Sequence, residues 1–352
     1  MSIRGAVVEP WNQELVWPYP STRVTTTVSD GANVLGTNST ACLQTWTLPY
    51  LTSTQVTAQK LEICLGPPLD IVEVFYSKNG VPIDEDKSYD YANRYQVAVA
   101  GEDQPFYVRP GFRTAILNLD REPRFYGNLG FDGNYWFGNG RTRDVGMGTE
   151  AETSYLIRAK RGETSGKLTG IRHSRSGYFS KKGSHYNTEG TSTNIVVTEY
   201  TYPVIRLADL YLLYAEALNE SLSVPNGEVY EYIDRVRTRA GLKGVIESWA
   251  AHSSVPQKPS TQLGMREIIH QERLIELAFE GKRFYDLRRW KQAHIVYNRN
   301  EYGWNVDASD ENYYLPVVLE RLTYTMKQYL WPISEAELRR NGNLVQNPFW
   351  ND

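Results

Sequence analysis

The chain has 352 residues, enough to bury a large hydrophobic core in one large domain or in two. The formal net charge of -3 gives no indication of a nucleic-acid partner, and the absence of a run of about 18 apolar residues argues against a transmembrane helix. The 25 Tyr and 9 Trp suit surfaces that are partly apolar and partly wet, such as those that contact sugars or proteins.

Residues 8–200 are rich in Thr, Gly, Asn, Pro and aromatic residues, and they contain few helical patterns. Short strand-like runs lie at 24–28, 95–100 and 194–198. Turn dipeptides separate them at Asn79-Gly80, Asp132-Gly133 and Asn139-Gly140. Long irregular segments on a rigid scaffold commonly carry binding surfaces, so we expect ligand recognition in this part of the chain.

The two cysteines, Cys42 and Cys64, are too few for a disulfide framework or a cysteine metal cluster. They could form one bridge in an oxidising compartment. Two buried free thiols fit the sequence equally well.

The most distinctive loop is 131–140, with the sequence FDGNYWFGNG, in which glycines flank three consecutive aromatic residues. Sugar recognition places a flat aromatic ring under the apolar face of the sugar and planar polar groups at its hydroxyls. We therefore predict a ligand-binding set formed by Trp136, Tyr135, Asn134, Asn139, Arg141 and Asp132. The alternative is an inward-pointing hydrophobic plug under the loop. Further candidate aromatic pairs are Trp46 with Tyr50, Tyr178 with Tyr186, and Tyr302 with Trp304.

From residue 203 the pattern becomes helical. An apolar face at helical spacing begins at Leu207 and ends near Asn219; its further members are Leu210, Tyr211, Tyr214, Ala215 and Leu218. A second face begins after Pro225-Asn226-Gly227 and ends at Gly241; its members are Val229, Tyr232, Ile233 and Val236. The pair resembles one tetratricopeptide-type repeat, which must stack on a neighbour to bury its apolar face.

The remaining sequence predicts a Ser/Pro-rich loop at 243–260, a helix at 261–279, an irregular aromatic segment at 298–328 and a short helix at 335–340. Within 271–290 (QERLIELAFEGKRFYDLRRW), Leu274, Leu277, Ala278, Phe284 and Tyr285 share an apolar face. Charged residues fill the other positions at salt-bridging offsets, which predicts a wet, ion-paired flank. Gly281 predicts a break, so we expect a helix hairpin or a kinked helix with a structural role.

Familiar metal and phosphate patterns are incomplete. The stretch 161–168 has Arg161 and Leu168 where a phosphate-binding loop needs glycine and a hydroxyl residue. The acidic residues between 84 and 90 lack the Gly and Glu of an EF-hand, so a solvated turn is the better interpretation than a Ca²⁺ site. The five histidines have no zinc spacing. We predict no metal and no cofactor.

Catalytic patterns are equally weak. There is no GxSxG motif for a serine hydrolase. Glu122 is the strongest candidate for an acid, but Arg121 and Arg124 flank it and favour a structural ion pair. Glycosidase chemistry needs only two carboxylates a few ångströms apart, which a sequence does not exclude. We predict no catalytic residue.

Several sequence motifs, which occur in the family's order, make the chain similar to the SusD/RagB family of surface nutrient-binding lipoproteins of Bacteroidetes. In the C-terminal part these are Arg206, Tyr214-Ala215-Glu216-Ala217, DRVRTRAGL at 234–242, Glu272-Arg273, Glu276-Leu277, Glu280-Gly281, Arg283, Asp286-Leu287, Arg289-Trp290, Trp331-Pro332-Ile333, Gln346-Asn347-Pro348 and Trp350. Upstream phrases are FYSKNGVPID at 75–84, DREPRFY at 120–126 and SGYFSKK at 176–182. The resemblance covers nearly the whole chain.

The resemblance implies a mainly α, SusD-like fold with tetratricopeptide-type helix pairs, long irregular loops and short β-hairpins. It implies a loop-rich ligand-binding region at 1–200 and a helical region at 201–352, joined as one structural unit. Family members carry a signal peptide, a lipid anchor and earlier helical repeats, which residues 1–13 and the following sequence do not show. We therefore expect a chain without those parts, with an apolar surface left exposed on the helix pair.

The resemblance also implies a function. The protein would bind an oligosaccharide, or less often a peptide, at the surface of the outer membrane without catalysis. It would pass the ligand to a TonB-dependent SusC-like transporter, with membrane association through a lipid anchor that this chain lacks. The positions of the family's aromatic sugar platform lie outside the shared sequence motifs, so the resemblance assigns no site residue in this chain. A carbohydrate hydrolase with dispersed carboxylates and a structural transporter subunit without ligand binding remain alternatives.

Overall fold

The fold is mainly helical after residue 200 and consists of loops with short strand pairs before it. The computed structural model describes residues 3–9, 11–19, 25–26, 41–59, 61–103, 107–138, 154–190, 195–196, 198 and 200–350. The prediction of a mainly α fold with long irregular loops and short β-hairpins is confirmed.

The described helices are short in the first part of the chain and longer in the second. The α-helices are α1 (Gly5–Val8), α2 (Leu43–Thr47), α3 (Ser53–Ala58), α4 (Leu69–Val74), α5 (Pro123–Asn128), α6 (Leu207–Ser221), α7 (Gly227–Arg239), α8 (Val245–His252), α9 (Gln262–Glu276), α10 (Lys282–Arg289), α11 (Ala293–Val296) and α12 (Glu335–Arg340). Short 3-10 turns lie at Tyr91–Asn93, Ile116–Asn118, Lys258–Ser260, Glu311–Tyr314 and Met326–Tyr329.

The described strands form two-stranded antiparallel pairs. They are β1 (Leu15–Tyr19) with β12 (Tyr202–Arg206), β2 (Thr25–Thr26) with β3 (Ala41–Cys42), β4 (Val97–Val99) with β5 (Arg113–Ala115), β6 (Leu129–Gly130) with β9 (Phe179–Ser180), β7 (Tyr135–Phe137) with β8 (Ser154–Leu156), β10 (Glu189–Gly190) with β11 (Ile195–Val196), and β13 (Asn300–Trp304) with β14 (Pro316–Arg321). The predicted strands at 24–28, 95–100 and 194–198 are confirmed over two or three residues each.

The helix pair predicted after residue 203 is α6 and α7. The side chain of Asn226 caps α7 by accepting hydrogen bonds from the backbone N–H groups of Glu228 and Val229, both at 3.1 Å. An Asn at this position satisfies two N–H groups that lack an intrahelical partner, which fixes where the helix begins. An aromatic contact connects the two helices: the ring of Tyr214 in α6 packs edge to face on the ring of Tyr232 in α7, with 4.5 Å between the ring centroids.

The buried face of α6 differs from the predicted one. Leu210 and Tyr214 are 41% and 43% exposed, whereas Asp209 and Glu216 are buried. The carboxylates point inward because they pair with arginines in the interior. Asp209, for example, accepts a hydrogen bond from Arg273 at 2.9 Å. Ion pairing thus overrides hydrophobic periodicity on this helix.

The predicted loop at 243–260 is wrong in its first half, where α8 forms. Its sequence, VIESWAAH, contains none of the Ser/Pro run that follows at 253–260. Asp234 of α7 accepts a hydrogen bond from the N–H of Val245 at 2.8 Å. A side chain of a neighbouring helix thus satisfies a backbone N–H group in the first turn of α8. Trp249 is fully buried and contacts the ring of Tyr76 edge to face at 5.9 Å, so α8 also closes the core.

The predicted break at Gly281 is confirmed. Helix α9 ends at Glu276, and α10 begins after Gly281, whose φ of +76° lies in the left-handed region that suits glycine. Two expectations for this segment are wrong. Tyr285 is 68% exposed and leaves the apolar face, and the charged flank is largely dry, because Glu272, Glu276 and Asp286 are buried.

The largest hydrophobic cluster among the described residues runs through both parts of the chain. It joins Phe75, Phe125 and Trp136 of the loop-rich part to Trp249 and Ile269 of the helical part. The predicted division at residue 200 stays a prediction. Among the described residues, no helix has both the length and the apolar character needed to cross a membrane.

Candidate ligand-binding site

The aromatic loop predicted to bind ligand places its central ring inside the protein. The side chain of Trp136 has 0% of its surface exposed, while Phe137 is 47% exposed. In β7 successive side chains point to opposite faces, and the tryptophan takes the inner face. In the described conformation Trp136 offers no exposed face to a sugar, and the hydrophobic plug is the arrangement observed.

Two buried cations flank the ring of Trp136. The guanidinium of Arg4 lies 5.5 Å from the ring centroid and the ammonium of Lys181 lies 6.0 Å from it. Neither forms an ion pair with a described carboxylate; Lys181 donates to the carbonyls of Tyr126 and Tyr135 at 3.0 and 2.8 Å. Burial lowers the pKa of Lys181 well below its ordinary value and that of Arg4 to about 10.

The polar residues close to Trp136 in the sequence form hydrogen bonds that stabilise the loop. Asn134 is buried and donates to the carbonyl of Tyr107 at 2.6 Å. Asp132 accepts from the N–H of Ala159 at 2.8 Å and from the hydroxyl of Tyr314 at 2.7 Å, and burial raises its pKa.

Of the remaining members of the predicted set, Tyr135 is half-buried. Asn139 and Arg141 lie outside the described residues. Ligand binding by the set stays a prediction.

Each of the further aromatic pairs has a fully buried member. Tyr50, Tyr178 and Trp304 have 2% or less of their surface exposed. Their partners differ: Trp46 is 36% exposed and Tyr302 is 40% exposed, whereas Tyr186 is half-buried. Trp46 and Tyr302 are therefore the rings of these pairs that a ligand can reach.

A cleft of about 630 Å³ lies close in sequence to these two residues, although neither Trp46 nor Tyr302 is part of its lining. Three segments line it: residues 62–68, residues 170–176 and the hairpin of β13 and β14. The carbonyl of Trp46 accepts a hydrogen bond from the N–H of Leu65 at 3.1 Å, beside the first segment. Tyr302 directly follows Glu301, which lines the cleft.

Two glycines allow the three walls of the cleft to approach one another. A Cβ on Gly66 would lie 2.4 Å from the carbonyl oxygen of Tyr178, and a Cβ on Gly303 would lie 2.8 Å from Cα of Ser176. Such contacts are too short for any other residue without movement of the backbone. A hydrogen bond of 3.1 Å from the N–H of Trp304 to the carbonyl of Ser176 holds the hairpin against the second wall.

The cleft contains planar polar groups on opposite walls. Arg172 forms an exposed ion pair of 3.2 Å with Glu62, and Arg175 donates to the carbonyl of Leu319 at 3.3 Å. Across the cleft, Glu301 and Glu320 occupy directly paired positions of β13 and β14. Burial raises the pKa of Glu301, and the charge of Asp70 adds to that effect. Guanidinium and carboxylate groups in this arrangement can donate to and accept from ligand hydroxyls.

Sequence reasoning missed this cleft because its walls come from three segments far apart in the chain. None of them carries a local motif for a site.

Buried charges elsewhere form a scaffold. Arg124 pairs with Glu122 at 2.7 Å and with Glu272, and Arg237 pairs with Glu272 at 3.2 Å. The expected structural ion pair of Glu122 is confirmed. Burial raises the pKa of Glu122, an effect that Arg124 partly offsets, and the second oxygen of the carboxylate accepts from the N–H of Tyr76. With 0% of Glu122 exposed, no ligand reaches it.

A second group of buried charges centres on Arg206. Its guanidinium pairs with Glu276 at 2.9 Å and with Glu280 at 2.7 Å, while Lys182 also pairs with Glu280 and Arg239 with Glu276 at 2.6 Å. Although burial alone would raise it, Arg206 and Arg239 hold the pKa of Glu276 well below its usual range. The charged residues of 271–290 therefore have a structural role, as predicted.

Within the described ranges, no group of three or more His, Cys, Asp or Glu side chains is arranged to hold a metal ion. The acidic turn at 84–90 is organised by other contacts. Asp86 accepts hydrogen bonds from Ser77 at 2.5 Å and from Asn79 at 2.9 Å, and Glu85 accepts from Lys258 at 2.6 Å.

Comparison with known proteins places this architecture in a family. The family model described as SusD family matches residues 13–350. SusD-like protein P2 of Formosa agariphila is 36% identical over 148 residues, which cover 42% of this chain and 25% of that protein.

Solved structures show the same fold. The selenomethionine form of BT4246 superposes with a TM-score of 0.76 at 23% identity, over 99% of this chain and 54% of that one. A SusD-like carbohydrate binding protein of Bacteroides fragilis superposes with a TM-score of 0.51 at 24% identity, over 81% of this chain and 49% of that one. The chain thus spans about half the length of the solved structures that it matches.

Proposed function

The chain belongs to the SusD family, and from this premise we propose that it binds an oligosaccharide at the outer surface of the cell. The ligand would lie in the cleft between residues 62–68, residues 170–176 and the β13–β14 hairpin. The observation that carries the proposal is the presence, in one open cleft, of guanidinium and carboxylate groups that can form hydrogen bonds with ligand hydroxyls. Binding of this kind needs no catalytic residue.

The chemistry of the cleft suits a sugar chain. In the pair of Arg172 with Glu62 the side chains are 67% and 21% exposed, so a ligand hydroxyl can join the pair without first breaking a fully buried contact. Ile63, Ile171 and Leu319 also line the cleft, and the apolar face of a sugar can pack against them. The carbohydrate binding described for the Bacteroides fragilis protein of the same fold is consistent with this ligand class.

A glycan array followed by calorimetry tests the proposal. We expect the unchanged chain to bind at least one oligosaccharide class, and Arg172→Ala and Arg175→Ala, two residues that line the cleft, each to weaken binding by about tenfold or more. Arg339→Ala is the matched control, because Arg339 is 82% exposed on α12 and pairs with Glu335 outside the cleft. Binding that survives both cleft substitutions would place the ligand elsewhere, and Phe137→Ala would then test the aromatic loop.

A carbohydrate hydrolase is the second candidate, favoured by one observation. Glu301, with its raised pKa, faces Glu320 across the hairpin, and glycosidases use one protonated and one ionised carboxylate. Incubating the bound oligosaccharide with the protein and analysing it by mass spectrometry separates the two functions. Product formation that Glu301→Gln abolishes would establish the enzyme; an intact oligosaccharide supports binding alone.

We further propose that the ligand passes to a TonB-dependent transporter of the outer membrane, as the family relationship suggests. Purification of the protein from its own cells with the transporter bound would support this partnership. If the transporter is recovered while no glycan binds, the protein is instead a structural subunit.

A further inference from the structure

A second, apolar pocket lies on the other side of the segment that forms the first wall of the cleft. It has a volume of about 230 Å³ and shares Gly66 and Pro68 with the cleft. Helix α4, the end of α9 and the turn that leads into α10 complete it. The pocket is therefore separate from the proposed oligosaccharide cleft but adjacent to it.

The lining of this pocket is almost entirely apolar. It includes Leu65, Pro67, Ile71, Leu274, Ala278 and Phe279. These side chains come from two parts of the chain that are about 200 residues apart, so only the folded protein assembles the pocket. An open apolar concavity of this kind gains free energy when an apolar group displaces its water.

Phe279 adopts an unusual backbone conformation at this pocket. Its φ of +65° lies in the left-handed region, which is strained for a bulky residue. The conformation places an aromatic side chain in the pocket lining between the end of α9 and Gly281. Strain of this kind is concentrated at functional positions, where the surrounding structure maintains it.

One charged residue, Arg283, lines the otherwise apolar pocket. Arg283 forms no ion pair with any carboxylate in the described part of the chain; Asp70 and Glu301 lie near enough for their charges to act on it, and Asp70 pairs with Arg299. It lies in the first turn of α10, which contains no acidic residue and has no side-chain cap. An unpaired guanidinium and the positive end of a helix both favour an anion at this place.

We propose that this pocket binds a small apolar carboxylate, with its hydrocarbon part against the apolar lining and its carboxylate on Arg283. The planar guanidinium matches a carboxylate in shape and can donate two parallel hydrogen bonds to it. A neutral apolar molecule would leave Arg283 without a direct ion pair, and a cation would be repelled by it. The site goes beyond the proposed oligosaccharide binding and does not depend on it.

Burial lowers the pKa of Arg283, and Tyr297 and Asp70 partly offset this effect. The charged groups that act on or respond to the guanidinium also include Arg299 and Glu301. Arginine remains protonated at neutral pH, so the counter-ion for the proposed ligand is present under physiological conditions.

Benzoate, with benzamide as its uncharged isostere, tests the proposal by protein-observed NMR titration or calorimetry. We expect saturable binding of benzoate with a dissociation constant of about a millimolar or below. Benzamide should bind about tenfold more weakly or not at all, because it cannot form the charge-assisted pair. Equal binding of the two probes would overturn the role of Arg283, and no saturable binding of benzoate would overturn the site.

Two variants locate the binding. Arg283→Gln removes the charge at similar length and should weaken benzoate about tenfold while leaving benzamide unchanged. Ala278→Leu fills the pocket with the charge intact and should abolish binding of benzoate; this variant keeps the test informative if Arg283→Gln is unstable. Arg339→Gln, on the exposed helix α12, is the control and should bind like the unchanged chain. Benzoate binding that both pocket variants retain would contradict the proposal, whatever the result with oligosaccharides.

Discussion

At the scale of single residues, Trp136 offers the sharpest choice between a structural and a ligand-binding role. Its ring is fully buried, so Trp136→Ala should lower the free energy of unfolding by about 3–5 kcal/mol through lost contacts and the cavity left behind. Phe137→Ala, next to it but 47% exposed, should change stability by about 0.5 kcal/mol. Urea unfolding measures both. Should Trp136→Ala cost little stability yet abolish oligosaccharide binding, the ring turns outward to the ligand as the sequence predicted.

Lys181 provides a second prediction, which concerns pH. Its folded pKa lies well below the unfolded value of about 10.4, so between these two values the unfolded state binds more protons. Stability should therefore rise with pH in that window, by at most about 1.4 kcal/mol per pH unit, and Lys181→Met should lose this dependence. Lys243→Met removes an exposed lysine and should retain it. Unfolding curves at pH 7, 8 and 9 decide; a constant difference between Lys181→Met and the unchanged chain would contradict the prediction.

At the scale of elements, the cleft depends on how closely its walls pack. Gly66→Ala would bring a Cβ within 2.4 Å of the Tyr178 carbonyl oxygen, so we expect a loss of about 1–3 kcal/mol in stability and weaker oligosaccharide binding. Gly227→Ala is the matched control, because no atom lies within 4 Å of that Cβ in the first turn of α7. It should be neutral or stabilising by up to about 1 kcal/mol. Thermal unfolding and calorimetry report the two effects, and equal behaviour of the variants would refute the packing argument.

Local sequence signals predicted the elements that depend on local interactions. The start of a helix after Pro225-Asn226-Gly227, the apolar face of α7 and the break at Gly281 were all predicted, because capping and positive φ act within a few residues. Helix α8 was missed because its start is fixed by Asp234 of another helix and its burial by contact with Tyr76. The exposure of Leu210 on α6 was missed for the same kind of reason, since distant arginines draw Asp209 and Glu216 inward.

The same limit applies to the candidate sites. Charges at helical offsets within 271–290 suggested a solvated flank, yet Arg124, 148 residues away from Glu272, converts it into a buried network. The cleft and the apolar pocket likewise combine segments from both parts of the chain. Contacts of such sequence separation leave no periodic signal in either segment, so their chemistry becomes visible only after folding.

At the scale of the whole molecule, the buried charges tie the loop-rich part to the helices. Arg124 and Lys182 come from the first 200 residues, whereas Glu276 and Glu280 belong to α9 and the turn after it. Burying so many charges is costly unless each is paired, so removing one partner is expected to cost about 3–5 kcal/mol. Because the pairs of Arg124 with Glu276 and of Lys182 with Glu280 span the two parts of the chain, losing the network should unfold both together.

Acid is the condition that tests this coupling. The folded pKa values of Glu276, Glu280 and Glu216 are depressed, so these carboxylates stabilise the folded state fully at pH values above the unfolded pKa of about 4.3. This stabilisation is lost as the pH falls below the unfolded pKa toward the folded pKa values. The raised pKa of Glu122 acts in the opposite direction and offsets part of the loss. We therefore expect the free energy of unfolding to fall steeply between about pH 5 and pH 3 in a single transition.

Glu276→Gln separates this mechanism from general acid sensitivity. The variant should be less stable than the unchanged chain at pH 7 by about 3–5 kcal/mol, because Arg206 and Arg239 lose a buried counter-charge. The difference should shrink toward pH 3, because below the unfolded pKa of about 4.3 the unfolded chain binds a proton at Glu276 while the folded chain keeps this carboxylate ionised. Urea unfolding followed by circular dichroism at pH 3, 5 and 7 gives all three values. A difference that stays constant with pH would mean that Glu276 is not linked to acid unfolding, and two separate transitions would mean that the network does not couple the two parts.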